Sequence, residues 1–343
     1  MSRVAGKDHA ARTRKDWAHI LEEVRGTITY EASLQAYTSF HIGGPAEVLV
    51  EPADVEDLCR VVAQARAEHI PVFVVGGTNL LVRDGGIRGI VVSLRQFKAI
   101  RQEPDHVLYA EGGVGMPTLI GYAIRRSLAG LEWGAGIPGT VAGCVVMNAG
   151  TRLGEMKESV KAVRMVDPRG RVVDIPAADI PFSYRRAHLP RGIVAGVWVQ
   201  LRPGDHDRIE KTVKEYLQYR KNTQPLTLPS AGCVFKNPPQ DSAGRLVDAA
   251  GLKGARIGDA QVSEKHANFM VNVGHARAAD VLALIRKVRA AVKKVSGVKL
   301  EGNFLGKDDE FKSLVSIRPG QPYNADDVVQ TTKAFTDYFG NFG

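Results

Sequence analysis

Residues 229–238, PSAGCVFKNP, hold the groups in this chain best suited to chemistry. Small residues let the backbone turn tightly and approach a ligand closely. Cys233 offers one acidic or nucleophilic group, and Lys236 and Asn237 add a cation and an amide within a strand's length. A neighbouring cation favours the thiolate, so Lys236 is expected to depress the Cys233 pKa. Taken alone, the stretch slightly favours a blander reading, a loop with an incidental Cys. The rest of the chain decides between the two.

Two glycine-rich segments point the same way. The first is Gly76-Gly77-Thr78-Asn79, after an apolar strand. The second spans 134–143, GAGIPGTVAG, and includes Gly136, Ile137, Pro138, Gly139, Thr140 and Gly143. Glycine lets backbone N–H groups converge on an anion such as a pyrophosphate. Neither segment is a dinucleotide G-x-G-x-x-G or a Walker loop. Glycines that merely make turns account well for Gly76 and Gly77, and poorly for the second segment. Two such loops suggest a large phosphate-bearing cofactor.

These loops need elements to hold them. From about residue 39 the chain alternates strands and helices. Strands are expected over 46–50, 71–75, 90–94, 107–111 and 193–201, and a hairpin over 163–175 turned at Pro168-Arg169-Gly170. Asp54 is placed to cap a helix carrying Val55, Leu58, Cys59, Val62 and Ala65 on one face. Pro117 opens another helix. Ile209, Val213, Tyr216 and Leu217 mark a third, and Val281 to Val295 a long fourth closed by Gly297. Residues 1–29 read as a leader with a short helix around 17–24.

The bulk composition bounds the function. At 343 residues two or three domains are expected. The 44% hydrophobic and 24% charged content is that of a globular protein without a span-length apolar run. The three cysteines are widely spaced and odd in number, which suggests a reducing cytosol. The net charge of +9 is scattered and aromatics are 7%, which argues against a nucleic-acid partner. The nine histidines show no metal-ligand spacing, so no metal is expected.

Eight blocks in order resemble the UDP-N-acetylenolpyruvoylglucosamine reductases (UDP-N-acetylmuramate dehydrogenases), flavoenzymes of peptidoglycan precursor synthesis. They are residues 37–46, 75–82, 135–143, 147–150, 182–185, 229–238, 250–254 and 262–269. The resemblance covers about 30–306. It implies an α+β fold: a two-part FAD-binding unit of the vanillyl-alcohol-oxidase (PCMH) type plus a smaller α/β substrate-binding domain. The parts fall at 30–95 (with 298–343 returning to it), 96–221 and 222–296. The short connection from Tyr184 to Ser230 lacks an inserted covering loop, as in the type II form.

The resemblance also implies the site. FAD, bound non-covalently, is held by the two glycine loops with Asn148 and Gly150, and NADPH reduces it. The substrate is UDP-N-acetylglucosamine enolpyruvate. Arg185, in Phe-Ser-Tyr-Arg, holds the carboxylate on which an enolate develops. Cys233 stands where the family has a proton-donating serine. Glu301, in Glu-x-x-φ-φ-Gly (φ apolar), matches the assisting glutamate, although Gly302 and Asn303 depart from the family's pattern and a shifted alignment places Asn303 there. Tyr184, Arg220, Lys236 and Asn237 are expected on the substrate, with Lys265 and His266 shaping that domain. The expected compartment is the cytoplasm. Two alternatives remain open: another flavin oxidoreductase of this fold, and a non-catalytic nucleotide-sugar sensor.

Overall fold

The computed structural model describes residues 12–76 and 78–302. Its three principal sheets follow one another along the chain. In the first region Thr13 caps helix α1 (Arg14–Ile20). Strands β1 (Thr27–Ser33) and β2 (Pro45–Glu51) pair antiparallel. Helix α2 (Val55–Ala67) begins at Asp54, whose carboxylate accepts from the Asp57 N–H. Strands β3 (Val72–Val75) and β4 (Ile87–Ser93) then complete a sheet in the order β1-β2-β4-β3, with parallel pairings to β4.

Trp17 and Leu21 are buried with Val48, Leu58, Val61 and Ile90. Residues 12–29 are therefore built into the first core rather than trailing as a leader. Burying a large apolar side chain stabilises by roughly 1.5–3 kcal/mol, enough to hold so short a segment in place.

The second region is an antiparallel sheet in the order β8-β7-β9-β6-β5. Its elements are β5 (Ile100–Glu103), β6 (Val107–Glu111), α3 (Met116–Ile124), α4 (Val141–Val146), β7 (Val160–Val166), β8 (Val172–Pro176), β9 (Ile193–Gln200) and α5 (His206–Thr223). Leu119 of α3 and Val141 and Val145 of α4 share a core with Val163 and Val197 of the sheet. Two small hairpins, pairing Gly150 with Glu155 and Phe182 with Ala187, carry site residues.

The third region has the order β10-β13-β12-β11, all antiparallel. It comprises β10 (Ser230–Cys233), α6 (Ala243–Ala249), β11 (Arg256–Ile257), β12 (Ala260–Val262), β13 (Phe269–Asn272) and α7 (Ala278–Ser296). Gly297 ends α7 in the left-handed region at φ 73°. Val281, Leu284, Val288 and Val292 face the core, which also takes in Phe40 and Ile42 from the first region.

Helix ends tie this third region to the other two. The Asp84 carboxylate accepts from the N–H groups of Ala278 and Ala279 at 2.8 and 3.1 Å, at the N-terminus of α7. The Lys265 ammonium donates to the Lys221 carbonyl at 2.6 Å, in the last turn of α5. Each charge matches the sign of the helix end that it meets.

Candidate active site

The two glycine loops meet. A Cβ on Gly139, which has φ +106°, would stand 2.6 Å from the Thr78 hydroxyl. Thr140 lies between the loops, 3.8 Å from where a Gly76 Cβ would be and 3.5 Å from that of Gly143. Its hydroxyl accepts from the Gly143 N–H and caps α4. Asn79 reaches across to the Met147 sulfur at 3.3 Å. Among the described residues outside their own chain neighbours and helix, only Thr140 comes within 4 Å of a Cβ position at Gly76 or Gly143. Gly77 lies outside the described residues. Ile137 and Pro138 complete the second loop, closed by a turn from the Ile137 N–H to the Gly134 carbonyl.

Arg185 occupies the turn of the 182–187 hairpin at φ +62°. A non-glycine residue there is strained, and such strain gathers at functional sites. Its guanidinium reaches over Gly150, where a Cβ would stand 3.2 Å from Nη1. Tyr184, half-exposed, lies under the same guanidinium at 5.2 Å.

Asn148, wholly buried at φ +39°, fastens this hairpin. Its Nδ2 donates to Glu155 Oε2 at 2.8 Å and to the Ser183 carbonyl at 3.1 Å, and its Oδ1 accepts from the Lys157 N–H. Both amide hydrogens are thus used within the protein. The structure gives Asn148 a task beneath Arg185.

Cys233 closes β10 after a bulge. Ser230 pairs with Val271 and Cys233 with Phe269, leaving one extra residue on the β10 side. Gly232 takes φ +76° in this bulge, and no described residue beyond its chain neighbours comes within 4 Å of a Cβ position there. Burial pushes the thiol up to about 11, while Arg185 and then Arg220 pull the other way. The cations acting on Cys233 are therefore these two arginines and not Lys236, and the expected depression is overturned.

Arg220 was expected only on the substrate, and its link to the cofactor loop could not be read from sequence. It is buried, and burial holds its pKa below the ordinary guanidinium value. Nη1 donates to the Ala135 carbonyl at 3.2 Å, and Nε and Nη2 donate to Gln224 Oε1. Its Cδ lies 3.2 Å from a Gly136 Cβ position. A long cation spaced along α5 beside a glycine loop was the only available signal.

The remaining residues frame the thiol. The Lys236 N–H donates to the Glu301 carbonyl at 3.0 Å, and Phe235 bridges to Gly302. Glu301 is exposed with its backbone beside the Cys233 strand. Asn303 lies outside the described residues. Asn237 Oδ1 accepts from the Ala243 N–H at 3.1 Å.

Comparison with known proteins places this geometry. Residues 46–176 match the family model of an FAD binding domain, and 224–304 that of the C-terminal domain of UDP-N-acetylenolpyruvoylglucosamine reductase. A reductase of that name from Symbiobacterium thermophilum is 46% identical over 280 residues, 80% of this chain and 91% of that protein. The chain belongs to the UDP-N-acetylenolpyruvoylglucosamine reductase family. One from Heliobacterium modesticaldum is 44% identical over 82% of this chain and 91% of that protein. The crystal structure of the reductase from Thermus caldophilus matches with a TM-score of 0.70 at 39% identity, covering 82% of this chain and 98% of that one. A third family model, surface antigen variable number repeat, matches 293–343, mostly outside the described residues.

The chain is thus an FAD-dependent oxidoreductase of α+β fold, with an FAD-binding domain and a reductase C-terminal domain. The loops fit FAD on their own geometry. Gly76 and Gly143 leave a cradle beside Thr140, and Thr78 with Gly139 closes its floor. Among the described residues no helix is long and apolar enough to cross a membrane.

Proposed function

We propose that this chain reduces the enolpyruvyl group of UDP-N-acetylglucosamine enolpyruvate to UDP-N-acetylmuramate with NADPH as reductant. We assign FAD to the 30–95 and 96–221 parts and the nucleotide sugar to 222–296. One observation carries this reading: the Arg185 guanidinium overlies Gly150 while Arg220 joins the second glycine loop, and the charges of both oppose the rise that burial gives the Cys233 pKa.

FAD held by these loops would supply hydride transfer, with NADPH as reductant and the enol ether carbon distal to the carboxylate as acceptor. The residues supply the rest. Arg185 presents two parallel donors to the carboxylate and stabilises the enolate that develops there, an effect of about 3–4 kcal/mol for one strong oxyanion contact. Glu301 assists the same step. Cys233 gives its proton to the carbon next to the carboxylate, which completes the saturated product. The thiolate left behind is favoured by Arg185 and Arg220 until a proton returns from water. Tyr184, Lys236, Asn237 and Arg220 hold the nucleotide sugar. Gly76, Thr78, Asn79 and the 136–143 loop hold FAD without a covalent bond, so acid precipitation releases all the flavin.

The test is NADPH consumption by the purified yellow protein with and without the enolpyruvyl nucleotide sugar. Product two mass units heavier than substrate supports the reading. Flavin that bleaches with NADPH while the nucleotide sugar returns unchanged sinks it.

A further inference from the structure

We infer that Asn268 is a positioning residue for Cys233: its side chain takes the place of a missing strand residue and fixes the backbone that carries the thiol. The inference rests on the reading of Cys233 as proton donor.

The β10–β13 ladder ends early. After the Cys233–Phe269 pair, β13 turns away through a bond from the Phe269 N–H to the His266 carbonyl. The segment after Cys233 still needs partners, because Val234 and Phe235 are buried. The Asn268 carbonyl accepts from the Val234 N–H at 2.8 Å. Its side chain then does what the next residue of a strand would do. Oδ1 accepts from the Phe235 N–H and Nδ2 donates to the Phe235 carbonyl, both at 2.9 Å. Asn268 is itself 3% exposed, and its own N–H donates to His266 Nδ1 at 3.2 Å.

An amide side chain is suited to this task, since it carries one acceptor and a donor at the spacing of a peptide group. The other edge is closed by the Lys236 N–H on the Glu301 carbonyl. Cys233 therefore lies between Gly232, in the left-handed region at φ +76°, and the Asn268 bracket. Without the bracket two buried backbone groups of Phe235 lose their partners, which a protein does not tolerate in place. The segment shifts, and with it the thiol.

The experiment uses the FAD-loaded full chain as parent, Asn268→Ala, Cys233→Ala and the double variant. Three rates are followed: flavin reduction by NADPH, reoxidation of reduced flavin by the enolpyruvyl nucleotide sugar, and iodoacetamide labelling of Cys233 against Cys59 by mass spectrometry. In Asn268→Ala, flavin content and NADPH reduction stay within about twofold. Reoxidation slows by about 10–100-fold, the effect of an ångström-scale misplacement, and Cys233 labels faster relative to Cys59. The double variant is no slower than Cys233→Ala. Equal slowing of both half-reactions, or further slowing in the double variant, overturns the inference. If Cys233→Ala alone turns over like the parent, the proton-donor reading falls, while unchanged labelling in Asn268→Ala separately refutes the bracket. Should the alanine variant not accumulate, Asn268→Asp, which keeps the acceptor for the Phe235 N–H, carries the same comparison.

Discussion

The Arg185 guanidinium passes over the bare α-carbon of Gly150, 3.2 Å from where a methyl group there would be. A strained hairpin turn thus delivers a cation to a position that only glycine leaves vacant. Asn148 holds both halves of the arrangement, through Ser183 on the hairpin and Glu155 beyond Gly150.

Arg185→Ala is expected to keep FAD and its reduction by NADPH, and to slow reoxidation by the nucleotide sugar 10²–10³-fold. Gly150→Ala should act in the same direction, because the new methyl group also meets Glu155 Cβ at 2.7 Å. Arg185→Lys should not rescue, since an ammonium lacks the planar fork. Stopped-flow absorbance of the flavin separates the half-reactions. A Gly150→Ala variant with parental reoxidation would detach Gly150 from the mechanism.

The thiol predicts an unusual pH profile. Burial raises the Cys233 pKa to about 11, so the proton is retained through neutral and mildly alkaline pH. Activity should show no limb from thiol ionisation below about pH 10, and Cys233 should label slowly with iodoacetamide at pH 8. Arg185 lowers this pKa, so Arg185→Ala should slow labelling further. Cys233→Ser should keep substantial activity, and Cys233→Ala should reduce flavin normally but reoxidise slowly. A thiol titration midpoint near 8, read from the labelling rate, contradicts the raised pKa.

Glu301→Gln should slow reoxidation by about 10²-fold if its carboxyl group moves a proton. Asn303→Ala should be silent. The pair distinguishes the two registers of the motif that begins at Glu301. Damage from Asn303→Ala with a silent Glu301→Gln shifts the register by two residues.

His266 gives an acid-side prediction. Burial, chiefly, lowers its pKa below the ordinary imidazole value of about 6.5. Its Nδ1 accepts from the Asn268 N–H, so the neutral ring carries its proton on Nε2. The folded state therefore favours neutral His266. This stability is full above pH 6.5 and is lost as the pH falls through the lower folded value. Denaturant midpoints measured between pH 7.5 and 5 should fall more steeply in the parent than in His266→Gln. Parallel curves would mean that the ring titrates freely in both states.

Local signals in the sequence survived into the structure. Asp54 and Pro117 begin, and Gly297 ends, the helices as expected. The expected 163–175 hairpin forms, with β7 and β8 paired antiparallel about the Pro168-Arg169-Gly170 turn. What sequence hid was non-local. Lys236 looked like the partner of Cys233 by proximity along the chain, yet Arg185 and Arg220, 48 and 13 residues upstream, are the cations that act on it. Asn268 reads as part of a motif, but its bond to Phe235 spans 33 residues. Trp17 looked peripheral because nothing near it in sequence needs it, whereas β2 and β4 do.

Phe40 and Ile42 lie wholly inside the core built around α7, although they belong to the loop before β2. The C-terminal domain is consequently not a detachable cassette. Residues 222–302 separated from the rest of the chain would leave two large holes in their own core, each worth roughly 2–5 kcal/mol. The loop around Phe40 completes that core, and divergence in one half of the molecule is constrained by the other.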